Sequence, residues 1–154
     1  METSRAEEIG LHDNWIYAHE VDHDARVIVL HTFFPHSTPP EFTDVIFEDV
    51  LVHHFQKALM TVTRPPSNVL FDIEPGDPSS TLKPYWSFLF GLRQYLWPVS
   101  GWMGSWNTLE ELAAILTSEG HQCFHVHGSF GLEGFVFARR MIVRARADRW
   151  ARVE

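Results

Sequence analysis

One cysteine, Cys123, stands alone in 154 residues, so no intrachain disulfide can form. No apolar run is long enough to cross a bilayer; the longest, around Trp86–Leu92, is bracketed by Lys83 and Arg93. The opening "METSRAEEIGLHDN" is acidic and lacks the apolar stretch of a secretory signal. These absences point to a reducing, cytoplasmic setting with no membrane partner. Basic residues are scarce up to position 138, where 6 Lys or Arg face 18 Asp or Glu, a balance of −12. That argues against a general nucleic-acid binder and suits a basic partner. Residues 139–154 reverse the sign, with 6 Arg against Asp148 and Glu154. "ARRMIVRARADRWARVE" reads as a last strand with a solvated charged face, or as a segment docked on the protein's own acidic surface. The competing reading is a phosphate-binding tail acting through Arg139–Arg149.

What is present is apolar and aromatic. Hydrophobic residues make up 45% of the chain, with 6 Trp and 12 Phe, enough for one dense core. A single domain over 1–154 follows, with 1–10 and 150–154 as flexible ends. "WIYAHEV" and "ARVIVLHTFF" are β-rich runs around "DHD", a hairpin of three-residue type. "PHSTPPEF" is a loop. "TDVIFEDVLVHHF" alternates until Glu48-Asp49, where a turn or bulge is expected. "RPPSN" breaks the chain, and "VLFDIEPGD" is a short strand ending in a turn. In "STLKPYWSFLFGLRQYLW", Tyr85, Leu89, Leu92 and Leu96 recur at helical spacing, with Ser80 or Thr81 as cap and Pro84 in the first turn. A second helix runs through "NTLEELAAILTSEG". Thr108 and Glu111, or Asn107 and Glu110, form its capping box; Leu109, Leu112, Ala113 and Leu116 are its buried stripe, and Gly120 is its stop. "QCFHVHG" is a strand, "SFGLEG" a loop and "FVFARRMIVRAR" a final strand. The class is α+β: a mainly antiparallel sheet of about five to seven strands with two helices.

"QCFHVHGSF" carries the clearest chemical question. In a strand, Cys123, His125 and His127 share one face, with Phe124 and Val126 on the other. Zinc takes imidazole and thiolate, and His53 or His54 would complete a set of four. The chain has ten His, so suggestive spacings also arise by chance. The bland reading is a strand whose apolar face meets the core while the polar face meets water or a helix. Cys123 as nucleophile needs a base, and His125 lies roughly 7 Å along the backbone. The carboxylate pairs Asp22/Asp24, Glu48/Asp49 and Asp72/Glu74 lack a pocket-forming context, so general acid–base catalysis has little support.

"YLWPVSGWMGSWN" places Trp97, Trp102, Met103 and Trp106 in or beside a Gly/Pro/Ser loop. Exposed Trp and Met anchor protein interfaces; the alternative is a loop folded back over one end of the core.

"LHDNWIYAHEVDHDARVIVLHT…TDVIFEDVLVHHF" resembles the opening of small bacterial immunity proteins of polymorphic-toxin systems and related families. There a Leu/Phe-His-Asp triplet, here Leu11, His12 and Asp13, precedes two strands. A segment of the I-x-F-x-x-V kind follows, matched at Ile46, Phe47 and Val50. The likeness spans about the first 55 residues. It implies a non-enzymatic protein that binds a toxin domain, and it transfers no site. The reading is therefore a non-catalytic, acidic protein-binding domain with a basic protein partner, with Trp97, Trp102, Met103 and Trp106 at the contact and no cofactor. A homodimer is compatible with it. The alternative is a metal-dependent protein or hydrolase, with zinc as the metal, using His125, His127 and one of Cys123, His53 or His54.

Overall fold

The computed structural model describes residues 11, 13–57, 69–96, 106–128 and 132–151. Eight strands form one antiparallel sheet: β1 (Asn14–Asp22), β2 (Val27–Phe34), β3 (Glu41–Glu48), β4 (Val52–Lys57), β5 (Val69–Pro75), β6 (Gln122–Gly128), β7 (Leu132–Ala138) and β8 (Arg140–Arg146). Their order is β4-β7-β6-β5-β1-β2-β3-β8. Helical segments α1 (Pro78–Leu82) and α2 (Trp86–Leu96) flank a 3-10 turn at Lys83–Tyr85, and α3 (Leu109–Ser118) precedes β6. The fold is α+β, with two helical blocks on an antiparallel sheet.

The sheet closes on itself. β3 and β4 are one path bent at Asp49, which has φ 52°. β7 and β8 are one path bent at Arg139. The two long paths pair along both halves, β3 with β8 and β4 with β7. Backbone bonds from Arg139 N to Glu48 O (3.1 Å) and from Leu51 N to Phe137 O (2.9 Å) clamp the paired bends. β2 then adjoins β3, β6 adjoins β7, and β5 joins β6 to β1, so every strand path has a neighbour on each side. The result is a barrel of six staves.

Alternation fills the barrel. Ile28, Leu30, Val45, Phe47, Phe124, Val126, Val136, Ala138, Met141 and Val143 point inward and are buried. Phe47 and Phe124 meet across it, with ring centroids 5.6 Å apart. Outside the β6–β7 wall, Cys123, Phe135 and Phe137 form a second core with Leu82, Trp106, Leu112 and Leu116. Two-sided burial explains why "FVFA" is apolar at every position. At Gly134 a side chain would overlap the His54 carbonyl of the neighbouring strand, so only glycine lets β4 and β7 approach there.

Several local expectations change. The first hairpin loop has four residues, 23–26, because Asp22 pairs with Val27. Asp22 Oδ1 accepts from Ala25 N at 2.9 Å, and Arg26 has φ 58°. The first helical block starts at Pro78, capped by Asp77 rather than Ser80 or Thr81. Hydrogen bonds from the Ser80 backbone N–H, and then from its side chain, hold the Asp77 carboxyl below its ordinary range. In the second block Thr108 is the cap, accepting from Glu111 N at 3.2 Å, while Glu111 accepts from Asn107 N at 2.8 Å. Gly120 takes φ 84°, as its stop position requires. The final strand is two strands, split at Arg139. Trp150, expected in a loose end, is packed onto the sheet. "RPPSN", His12 and residues 129–131 of the expected "SFGLEG" loop lie outside the described residues.

Candidate functional site

The alternation in β6 is as the sequence implies. Phe124 and Val126 enter the barrel, and Cys123 faces the helices. Burial pushes the Cys123 thiol up, and its S–H donates to Thr81 Oγ1 of α1 at 3.5 Å. Thr81 Oγ1 lies 2.6 Å from His125 Nε2. Thr81 Oγ1 thus links the thiol and the imidazole, and the hydroxyl can accept from the thiol while it donates to or accepts from Nε2, according to the ring tautomer. The ring lies against Gly76, where a Cβ would overlap it. His127 takes a different environment, with Nε2 3.5 Å from Glu74 and Nδ1 3.8 Å from Glu133. The two imidazoles line a groove of about 270 Å³ with Thr81, Tyr85 and Glu133.

Cys123 and His125 thus share Thr81, while the other candidate metal ligands have partners of their own. His54 meets Tyr85, with centroids 4.7 Å apart, while His53 approaches His23 at 6.2 Å. Burial, and then the neighbouring charges of His23 and His54, hold the His53 pKa down. Among the described residues no group of three His, Cys, Asp or Glu side chains is arranged to hold a metal ion. Of the proposed contact residues, Trp97, Trp102 and Met103 lie outside the described residues. Trp106 is described, and it corrects the expectation. Its ring is fully buried beneath the helices, 5.5 Å from that of Trp86. It packs as core because α3 folds the end of the loop against β6 and β7.

A second cluster lies on the outer face of β1, β2, β3 and β8, opposite the barrel interior. His31 sits across from Asp44 in the β2–β3 ladder. Its Nδ1 is 2.7 Å from Asp44 Oδ1, and its Nε2 is 2.8 Å from Glu20 Oε2. A neutral imidazole can donate to only one of these carboxylates; the imidazolium donates to both. Arg146 Nη1 binds the other Asp44 oxygen at 3.0 Å. His31 is 2% exposed because residues 147–151 fold back over it. The Trp150 indole stacks on the His31 ring, centroids 4.3 Å apart and planes 10° apart.

Beside this network is an aromatic patch. The β1 register shifts between Ile16 and Ala18, which releases Tyr17 from pairing. Its ring lies 5.7 Å from Phe33 and 6.1 Å from Phe42, and Trp15 meets Phe33 at 5.3 Å. The Arg149 guanidinium stands 4.3 Å above the Tyr17 centroid and 5.9 Å from that of Phe33. Trp150 N donates to Tyr17 Oη at 2.9 Å. Sequence reasoning missed this face. Its one signal was Asp44, a charged residue inside an apolar strand, which needs a buried partner.

The C-terminal arginines are also held on the chain. Arg140 Nε binds Glu48 at 2.8 Å, Arg139 approaches Asp49 at 3.9 Å, and Arg26 binds Asp49 at 3.0 Å. The segment docked on the protein's own acidic surface is what β8 forms. No helix among the described residues is long and apolar enough to cross a membrane. No family model matches the chain, and no curated protein matches it.

Proposed function

We propose that this chain is a non-catalytic, acidic protein-binding domain, an immunity-type or accessory protein that acts in the cytoplasm on a basic protein partner. One observation carries the reading. Arg139, Arg140 and Arg146 are engaged by Asp49, Glu48 and Asp44, so these arginines of the basic stretch are turned onto the protein itself. Glu20, Asp22, Asp24, Glu41, Glu74 and Glu133 remain exposed. A surface of this charge steers a cationic partner and selects against nucleic acid.

The test is reconstitution. A basic protein retained from the native host at low salt is identified, purified and titrated with this chain. The expected result is a stoichiometric complex whose affinity falls steeply with salt, with no metal in either free component. The zinc-dependent alternative is tested on the same sample by metal content per chain, measured by plasma mass spectrometry on protein purified without a metal-binding tag. Near one equivalent of zinc, lost in a His125→Ala/His127→Ala variant, would overturn the non-metal reading.

A further inference from the structure

We propose that the Tyr17–Phe33–Phe42 face, with Glu20 at its border, is an arginine-binding site for a partner protein, and that Arg149 and Trp150 occupy it in cis until a partner displaces them. This inference rests on the basic-partner reading and names the chemistry that the partner presents.

The face already selects a guanidinium. Arg149 lies over the Tyr17 ring at 4.3 Å. A flat, weakly hydrated cation suits a ring face better than the compact ammonium of lysine does. Glu20 is half exposed and lies beside the buried His31–Asp44 pair, so a carboxylate borders the rings. An incoming arginine would therefore meet a ring below and an anion at its side, the two features that recognise a planar cation.

The occupant is held lightly. Residues 147–151 belong to no helix or strand. Among the described residues its hydrogen bonds are Trp150 N to Tyr17 Oη at 2.9 Å and Arg146 Nε to Asp148 O at 3.3 Å, beside the Trp150–His31 stack and the Arg149 contacts with Tyr17 and Phe33. Each such contact shifts an equilibrium by no more than about tenfold. The strap can therefore lift without breaking the β3–β8 ladder, which ends at the Phe42–Arg146 pair. Arg146 remains on Asp44 when it does so, and His31 keeps both of its carboxylate partners. Because the strap is tethered next to its site, it competes at high effective concentration, and removing it tightens binding of any true competitor.

The experiment uses the full chain and two labelled probes, a hexa-arginine and a hexa-lysine peptide, at low salt. Arg149→Lys/Trp150→Ala removes the strap's planar groups and keeps the net charge, so a gain cannot come from charge. The expected result is hexa-arginine binding tightened about tenfold over the parent, with hexa-lysine changed less than twofold. Adding Tyr17→Ala should return hexa-arginine to the hexa-lysine level. Should the double variant fold poorly, Tyr17→Phe keeps the ring and deletes only the strap's backbone anchor; it should give a smaller gain for hexa-arginine. No gain in either variant overturns the proposal. Equal gains for both peptides, unaffected by Tyr17→Ala, also overturn it and leave the acidic-surface reading standing. Failure of both peptides to bind any form at low salt removes the basic-partner reading itself.

Discussion

Asp44 serves two partners at once: Oδ1 faces His31 at 2.7 Å and Oδ2 faces Arg146 at 3.0 Å, with the carboxylate itself buried. Removing Asp44 strands the buried His31 ring nitrogen where water has little access, and takes from Arg146 its carboxylate partner. Asp44→Ala should cost about 3–5 kcal/mol, read as a lowered urea midpoint. Arg140→Ala breaks an exposed pair with Glu48 and should cost under about 1 kcal/mol. Equal effects would mean that Asp44 is hydrated in solution.

Cys123 should behave as an inert core thiol. It is 3% exposed, and burial pushes its pKa up, so thiolate is scarce near neutral pH. A chromogenic disulfide reagent at pH 8 should react slowly with the native protein and release one equivalent after denaturation. Fast native reaction would show that α1 and β6 separate readily.

Stability should fall on the acid side of neutrality. Burial, then the Arg139 charge, depresses the pKa of His121, and burial with His23 and His54 depresses that of His53. Below the ordinary histidine value the unfolded chain takes up protons that the native protein refuses. The stability present above that value is therefore lost as the pH falls through the lowered ones. Among the described residues, the buried His121 Nδ1 has no hydrogen-bond partner. His121→Leu should thus flatten the melting temperature between pH 7 and 5 without lowering it at pH 8; a flattening no larger than that of an exposed His36→Gln control would refute this.

Trp106→Ala should destabilise by about 3–5 kcal/mol, as the loss of a large buried ring does. At temperatures where the variant is folded, partner affinity should match the parent. A loss of affinity with unchanged stability would return Trp106 to the contact surface.

Where a local rule governs, the sequence was readable. The Thr108 cap, the Gly120 stop and the slip at Glu48-Asp49 each depend on neighbouring residues, and each is present. The bend at Arg139 was hidden for a physical reason. Val136 and Ala138 point inward, and beyond the bend so do Met141 and Val143, a shift of one residue. Phe135 and Phe137 are also buried, under the helices, so the slip leaves no polar residue out of place. His31 and Asp44 are 13 residues apart, and only the β2–β3 register sets them opposite each other. Histidine spacing within one strand drew attention to His125 and His127 instead. Trp106 misled for a related reason, since nothing local distinguishes an exposed Trp from one that a helix folds inward.

The paired bends carry a consequence for biogenesis. Glu48 and Arg140 are 92 positions apart, and their strands seal the ring. During synthesis β3 emerges early and waits, with one hydrogen-bonding edge unmet, until β8 has been made. For that interval an apolar strand edge is open to pairing with other chains. Closure of so distant a contact also makes folding slow compared with a helical protein of this size. A chain interrupted just before Arg140 would hold seven of the eight strands and nearly all of the core, yet its β3 edge would stay permanently sticky. Such a product belongs to the quality-control machinery rather than to a partially active pool.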